Sequence, residues 1–242
     1  MAKKTMVLMF SFLTLVSFSR ARAQISPVYQ KMVNNGWKYP FANGYRRLTR
    51  KEVISEFTES NGYSDSTLES LKRTGVDIRK LWRPGETYSK KLWTAASDCI
   101  VIGTVSKMTH PLWPRPYYYT VAYVKVDKFL RNDYNLPQGE IPILQYTGAG
   151  AYQTGEDTLR MGEHALFFLS ASQLILFTVN NNMKPLYDYL INHSTAYFGL
   201  VAKYDIKSGN VMSKAKVEAL PNVIDSVHSV LNAIRNSVPT NR

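Results

Sequence analysis

The chain holds a single cysteine, Cys99, among its 242 residues. An intramolecular disulfide is thereby excluded, and the fold has to be held by its own core. Histidine is nearly as scarce. His110, His164, His193 and His228 lie far apart, and no two stand at H-x-x-x-H or H-x-H spacing. No metal and no other cofactor is expected from that pattern. Acidic residues are outnumbered, 18 against 30 Lys and Arg, for a formal net charge of +12. There is no G-x-S-x-G, no H-E-x-x-H and no evident pair of carboxylates. A hydrolase would have to work without those constellations.

What is present begins at the N-terminus. Lys3 and Lys4 precede residues 6–18, which are apolar apart from Ser11, Thr14 and Ser17. That run is too short to span a bilayer. Ala21-Arg22-Ala23 places small residues where a signal peptidase reads them, so residues 1–23 are expected to be a signal peptide and the mature chain to start near Gln24. The protein is then exported: secreted, periplasmic or held at the cell surface. Cleavage removes Lys3, Lys4, Arg20 and Arg22 and no acid, so +12 falls to +8. An exported protein does not normally meet genomic DNA, and a nucleic acid is not an expected partner. The positive excess suits an acidic glycan, a membrane surface or an extracellular or envelope protein.

Residues 24–48 carry Tyr29, Trp37, Tyr39, Phe41 and Tyr45 with no period, and read as an irregular arm whose aromatics lie against the body. Thr49-Arg50-Lys51-Glu52 has capping-box spacing and opens a helix over about 50–60, with Val53, Ile54 and Phe57 on one face. Asn61-Gly62 ends it. Ser66-Thr67-Leu68-Glu69 repeats the device, with Leu68 and Leu71 inward and Gly75 as the stop, so residues 24–87 make an arm and a packing αα-hairpin. After the breaker Arg83-Pro84-Gly85, residues 89–96 form a short helix with Leu92, Trp93 and Ala96 on one side.

Strands are expected at about 99–107, 117–130, 141–147, 164–170 and 197–206. The second has a period of two. Tyr118, Thr120, Ala122, Val124 and Val126 share the inward face. Tyr117, Tyr119, Val121, Tyr123, Lys125 and Asp127 face outward, where a helix must cover the tyrosines or a ligand use them. The strand at 164–170 is apolar on both faces, as a strand beneath a helix should be. Residues 174–179 follow it after a turn. Asn180 opens a long loop ending near Thr195, and Ser208-Gly209-Asn210 is a turn. Past Pro221, the spacing of Ile224, Val227, Leu231, Ile234 and Val238 predicts a closing helix, and 237–242 is a tail.

The segments Ala96-Ser97-Asp98-Cys99-Ile100-Val101-Ile102-Gly103-Thr104-Val105, Val124-Lys125-Val126 and Gly162-Glu163-His164-Ala165-Leu166-Phe167-Phe168-Leu169 resemble secreted domains of the netrin and tissue-inhibitor-of-metalloproteinases type. They are more similar to its cysteine-poor bacterial versions. The resemblance covers about residues 88–236. It implies a mainly β chain with a five-stranded OB-like barrel, one helix before the first strand (89–96) and one after the last (221–236), the two packed together on the barrel, with the N-terminal helical extension outside it. The inhibitors of the family chelate zinc through an N-terminal cysteine held by a disulfide. Gln24 and the lone Cys99 cannot reproduce that mechanism.

The expected function is binding without catalysis. Trp113, Arg115, Tyr117, Tyr119 and Tyr123 lie in or near the loop and face that OB-like folds use to stack on oligomers, and are the candidate ligand residues. Two alternatives stand beside it. One is a secreted hydrolase, either with Cys99 as nucleophile and His110, His164 or Glu163 as its base, or with an acid/base pair that no motif marks. The other is a cell-surface structural or assembly subunit that makes contact through residues 24–87. Asn192-His193-Ser194 is a glycosylation sequon where the host glycosylates.

Overall fold

The computed structural model describes residues 25–38, 40–41, 46–80, 89–109, 119–146, 159–213 and 216–237. The expected leader, the 83–85 breaker and residues 147–158, which hold Gly148, Gly150 and Gly155, lie outside the described residues.

The sheet is organised around β1 (Cys99–Thr109), which pairs antiparallel with β2 (Tyr119–Asn132) on one side and β4 (His164–Ser170) on the other. β3 (Glu140–Tyr146) lies outside β2. β5 (Gly199–Lys207), β6 (Asn210–Ser213) and β7 (Lys216–Ala219) follow beyond β4, giving the order β3-β2-β1-β4-β5-β6-β7. The five expected strands all form, but they do not make a closed barrel. The sheet's β3 end meets the chain just before β5 through one parallel bridge, Ile143 to Phe198. Leu144 N–H donates to Phe198 O at 2.8 Å and Phe198 N–H to Pro142 O at 3.1 Å. From Gly199 onward the chain pairs with β4 instead. Ser208 and Gly209, at φ of 50° and 78°, then turn it back into β6, which extends the sheet rather than closing it. Among the described residues, seven α-helices accompany the seven strands, so the expected mainly β chain is a mixed one.

Three register shifts bend β1 against β2, one of them between Ile102 and Gly103. There the backbones approach closely: a Cβ on Gly103 would lie 2.4 Å from Lys125 O and 2.8 Å from Val124 Cγ1. A glycine inside a strand marks such an approach. Gly103→Ala is expected to cost about 2–3 kcal/mol, because the obstruction is backbone and cannot swing aside. Urea unfolding measures it, and a loss below about 0.5 kcal/mol would mean the strands part easily.

The helices enclose the sheet. α1 (Pro27–Asn34) opens with Pro at its start, where the missing N–H costs nothing, so the expected irregular arm contains a helix. Its aromatic neighbours do lie against the body: Trp37 Nε1 donates to the hydroxyl of the fully buried Tyr187 at 3.1 Å, and Tyr29 and Phe41 meet the same ring edge-on. α2 (Arg50–Ser60) carries the expected capping box, with both the Thr49 and Glu52 arms made. α3 (Asp65–Arg73) starts earlier than expected. Ser64, not Ser66, is its cap, accepting from Thr67 N–H. α4 (Lys90–Ala96) begins after Ser89 as read.

The largest correction follows β4. Residues 171–180 form α5 (Ala171–Asn180), and much of the expected loop is α6 (Lys184–Ile191). Ser170 caps α5 by accepting from Gln173 N–H, and Pro185 sits in the first turn of α6. α7 (Leu220–Arg235) sends Val230 into the main core and buries Val223, Val227 and Leu231 against Ile100, Leu166 and Phe168, covering the outer face of β4 as expected. Trp93 of α4 joins that cluster, so α4 and α7 share one side of the sheet. The main core runs from Val28 and Met32 of α1, through Phe57 and Leu71, to Val101, Phe167 and Val230. α3 is also tied to α7: Ser70 Oγ donates to Ala233 O at 2.9 Å, and Ser66 Oγ to Ser237 O at 2.9 Å.

Candidate binding groove

The second strand's outer face does not stay open. Tyr119 and Val121 are buried at 4% and 3% exposure beneath Leu174 of α5 and Leu186 and Leu190 of α6. The inward face is as read, with Ala122, Val124 and Val126 in the main core. Tyr123 is half-buried beside Tyr189 and Tyr197, and Lys107 Nζ lies 5.3 Å from its ring centroid. Trp113, Arg115 and Tyr117 lie outside the described residues.

Where α5 crosses the sheet, a groove of about 610 Å³ opens between it, α2 and β5. That volume is in the range of small-molecule sites, roughly 300–1,000 Å³. Tyr119 and Leu144 line it from β2 and β3, Leu174 and Leu176 from α5, and Leu186 from α6. Gly199, Leu200 and Val201 form its β5 wall. Phe177 stands at the groove with 41% of its surface exposed. The remaining side is basic. Arg47 and Arg50, both exposed, line it together with Leu48 and Val53. Of the expected ligand residues the groove thus takes in Tyr119 and not Tyr123, and it adds Arg47, Arg50 and Phe177, which sequence reasoning did not single out.

The capping box explains the electrostatics of the basic side. Arg46 makes a bidentate pair with Glu52 at 2.9 and 2.5 Å, while Glu52 also accepts from the backbone and hydroxyl of Thr49. Those bonds, Arg46's first among them, hold the Glu52 carboxyl at about 2. The Arg46 charge is thereby answered within α2's own cap. Arg79 is answered in the same way by Asp77, at 2.8 and 3.1 Å. Arg50 instead donates to the backbone carbonyl of Arg79 at 2.9 Å, which fixes its guanidinium without neutralising it.

At the N-terminal end of α5 lies a buried polar junction. Asp98, fully buried, accepts from Ala171 N–H and Ser172 N–H at 3.1 Å, from Ser172 Oγ at 3.1 Å and from Tyr134 OH at 2.9 Å. It completes the cap of α5 that Ser170 begins. Burial pushes its carboxyl up, against the pull of those two backbone donors. Next to it, Arg131 pairs bidentately with Asp133 at 3.0 and 2.7 Å and donates to Tyr63 OH and Thr94 O. Cys99 has no exposed surface. Burial, then the charge of Asp98, pushes its thiol well above the ordinary range, which works against the thiolate a nucleophile needs. The bases expected for it are elsewhere: His164 pairs with Asp127 at 3.2 Å and Glu163 with Lys203, while His110 lies outside the described residues. The junction satisfies a helix end and joins distant elements, and its geometry activates no nucleophile.

Among the described residues, no three His, Cys, Asp or Glu side chains gather where a metal ion could be held, and no helix is long and apolar enough to cross a membrane. The chain matches no protein-family model, no curated protein and no solved structure.

Proposed function

We propose that the chain is an exported binding module without catalytic activity, built on an OB-like plan of the netrin type, and that it takes its ligand in the groove between α2, α5 and β5. The groove is the observation that carries this reading: an apolar trough with one exposed ring, Phe177, and a basic side. The OB-like plan, as an open sheet, draws support from α4 and α7 lying together over β4 and from the parallel bridge that brings β3 to the start of β5. Export rests on the leader-like residues 1–23. Of the expected partners, a membrane surface or a lipid suits an apolar trough better than a glycan, whose hydroxyls would find few partners along Leu174, Leu176 and Val201.

The test uses Nile red, a neutral apolar dye, with the purified protein. The dye should brighten on binding, and Phe177→Gln should weaken that binding by about tenfold, the equivalent of about 1.4 kcal/mol of apolar contact. Because Phe177 is exposed, the variant should melt within a few degrees of the parent. Dye binding that Phe177→Gln leaves unchanged would place the ligand elsewhere.

A further inference from the structure

We infer that the groove's ligand is a single-chain amphiphile with an anionic head group, its chain lying along α5 and its head meeting Arg47 and Arg50. This rests on the groove being the binding site, as proposed above. Three observations lead to it. The α5, α6 and β5 walls are mainly apolar, through Leu174, Leu176, Leu186 and Val201, with Gln173 and Asn180 as the polar side chains of α5, and suit an aliphatic chain better than a hydrogen-bonding polymer. The charge is of one sign: among the described residues of the lining, Arg47 and Arg50 are the charged ones and no carboxylate stands with them. The neighbouring basic groups are spoken for, Arg46 by Glu52 and Arg79 by Asp77.

Arg50 adds geometry to charge. One of its amino groups is held by the carbonyl of Arg79 at 2.9 Å, and its remaining N–H donors are left for a ligand. A guanidinium fixed before binding loses less freedom when it grips a carboxylate or phosphate. A neutral ligand of the same length would cover part of this basic side without supplying a counter-charge, and a cationic one would meet repulsion. The head group's chemistry, one negative charge or two on oxygen, is common to a fatty carboxylate and an alkyl phosphate, and the two are separated by experiment.

The experiment is displacement of Nile red by decanoate, decyl phosphate, decanol and decyltrimethylammonium, each below its micelle concentration. Decanoate and decyl phosphate should displace the dye at least about tenfold better than decanol, a difference of the size of one charge-assisted hydrogen bond, and the ammonium should be weakest. Whichever anion displaces at the lower concentration identifies the head. The double variant Arg47→Gln, Arg50→Gln should lose that preference, the two anions falling to the level of decanol in the same variant. Equal displacement by decanol and decanoate, or a double variant that still prefers the anions, would overturn the head-group assignment and leave the groove standing. Failure of every amphiphile to displace dye, with binding indifferent to Phe177→Gln, would overturn the groove itself and this inference with it.

Discussion

Asp98→Ala is expected to destabilise the protein by about 3–5 kcal/mol, the largest effect of any single substitution considered. The carboxylate accepts from Ala171 N–H, Ser172 N–H, Ser172 Oγ and Tyr134 OH, and a further hydroxyl, Ser170 Oγ, lies 3.3 Å away. Alanine would leave these donors buried and unpaired, at about 1–3 kcal/mol for each that finds no substitute. The loss of a cap from α5 adds about 1 kcal/mol. Part of the sum is returned because a buried carboxyl no longer needs desolvating. Asp98→Asn keeps one acceptor but turns an amide NH2 toward these donors, so it should fall between parent and alanine. Urea midpoints for the three proteins give the ranking, and an alanine variant within about 1 kcal/mol of the parent would show that the donors re-pair at little cost.

Arg131→Ala should cost about 3 kcal/mol, and it should also change how stability depends on acid. Asp133 loses its bidentate partner and keeps only Lys31, at 3.3 Å. Removing one member of a buried pair typically costs about 3–5 kcal/mol, and the lower end applies because the Asp133 side chain is 24% exposed. In the folded parent the Asp133 carboxyl lies below its ordinary value: burial acts to raise it, and the charge and hydrogen bonds of Arg131 outweigh that. Its contribution is therefore complete above the unfolded carboxylate value of about 3.9 and is lost as pH falls through the depressed folded value. Asp98 has the opposite sign. Its folded value is raised, so its protonated form favours the fold, and stability declines as pH climbs from about 3.9 toward that raised value. Arg131→Ala should flatten the acid limb that belongs to Asp133 and leave the Asp98 decline in place. An unchanged acid limb would mean that Lys31 alone holds Asp133 ionised.

The parts of the fold that were legible in the sequence are those whose signals are local. Thr49 and Glu52 write a helix start into four residues, and Thr120, Ala122, Val124 and Val126 write a strand face into seven. α5 was not read because 174–179 is an apolar run of strand length, and a helix buried on most sides has no polar face to set its period. Its signal was present all the same, in the capping-box spacing of Ser170 and Gln173. α6 announced itself only through Pro185, which also suits a loop. The groove was less legible still. Arg47, Tyr119, Phe177 and Val201 lie on separate segments and meet only after α5 has crossed the sheet, so no spacing along the chain marks them as neighbours. Outward-facing Tyr119 was correctly read as needing a cover or a ligand. The cover is α5 and α6, and the groove lies along that cover.

The hydroxyl contacts between α3 and α7 set an order of events. Ser70 and Ala233 are 163 residues apart, so a ribosome working at about 5–20 residues per second leaves α3 without α7 for roughly 8–33 s. During that interval the main core lacks Val230 and the outer face of β4 lacks its helix. Folding cannot be completed from the N-terminus as the chain emerges. It must wait for the last helix, so the 163 residues between the two contacts leave the ribosome before the core can close.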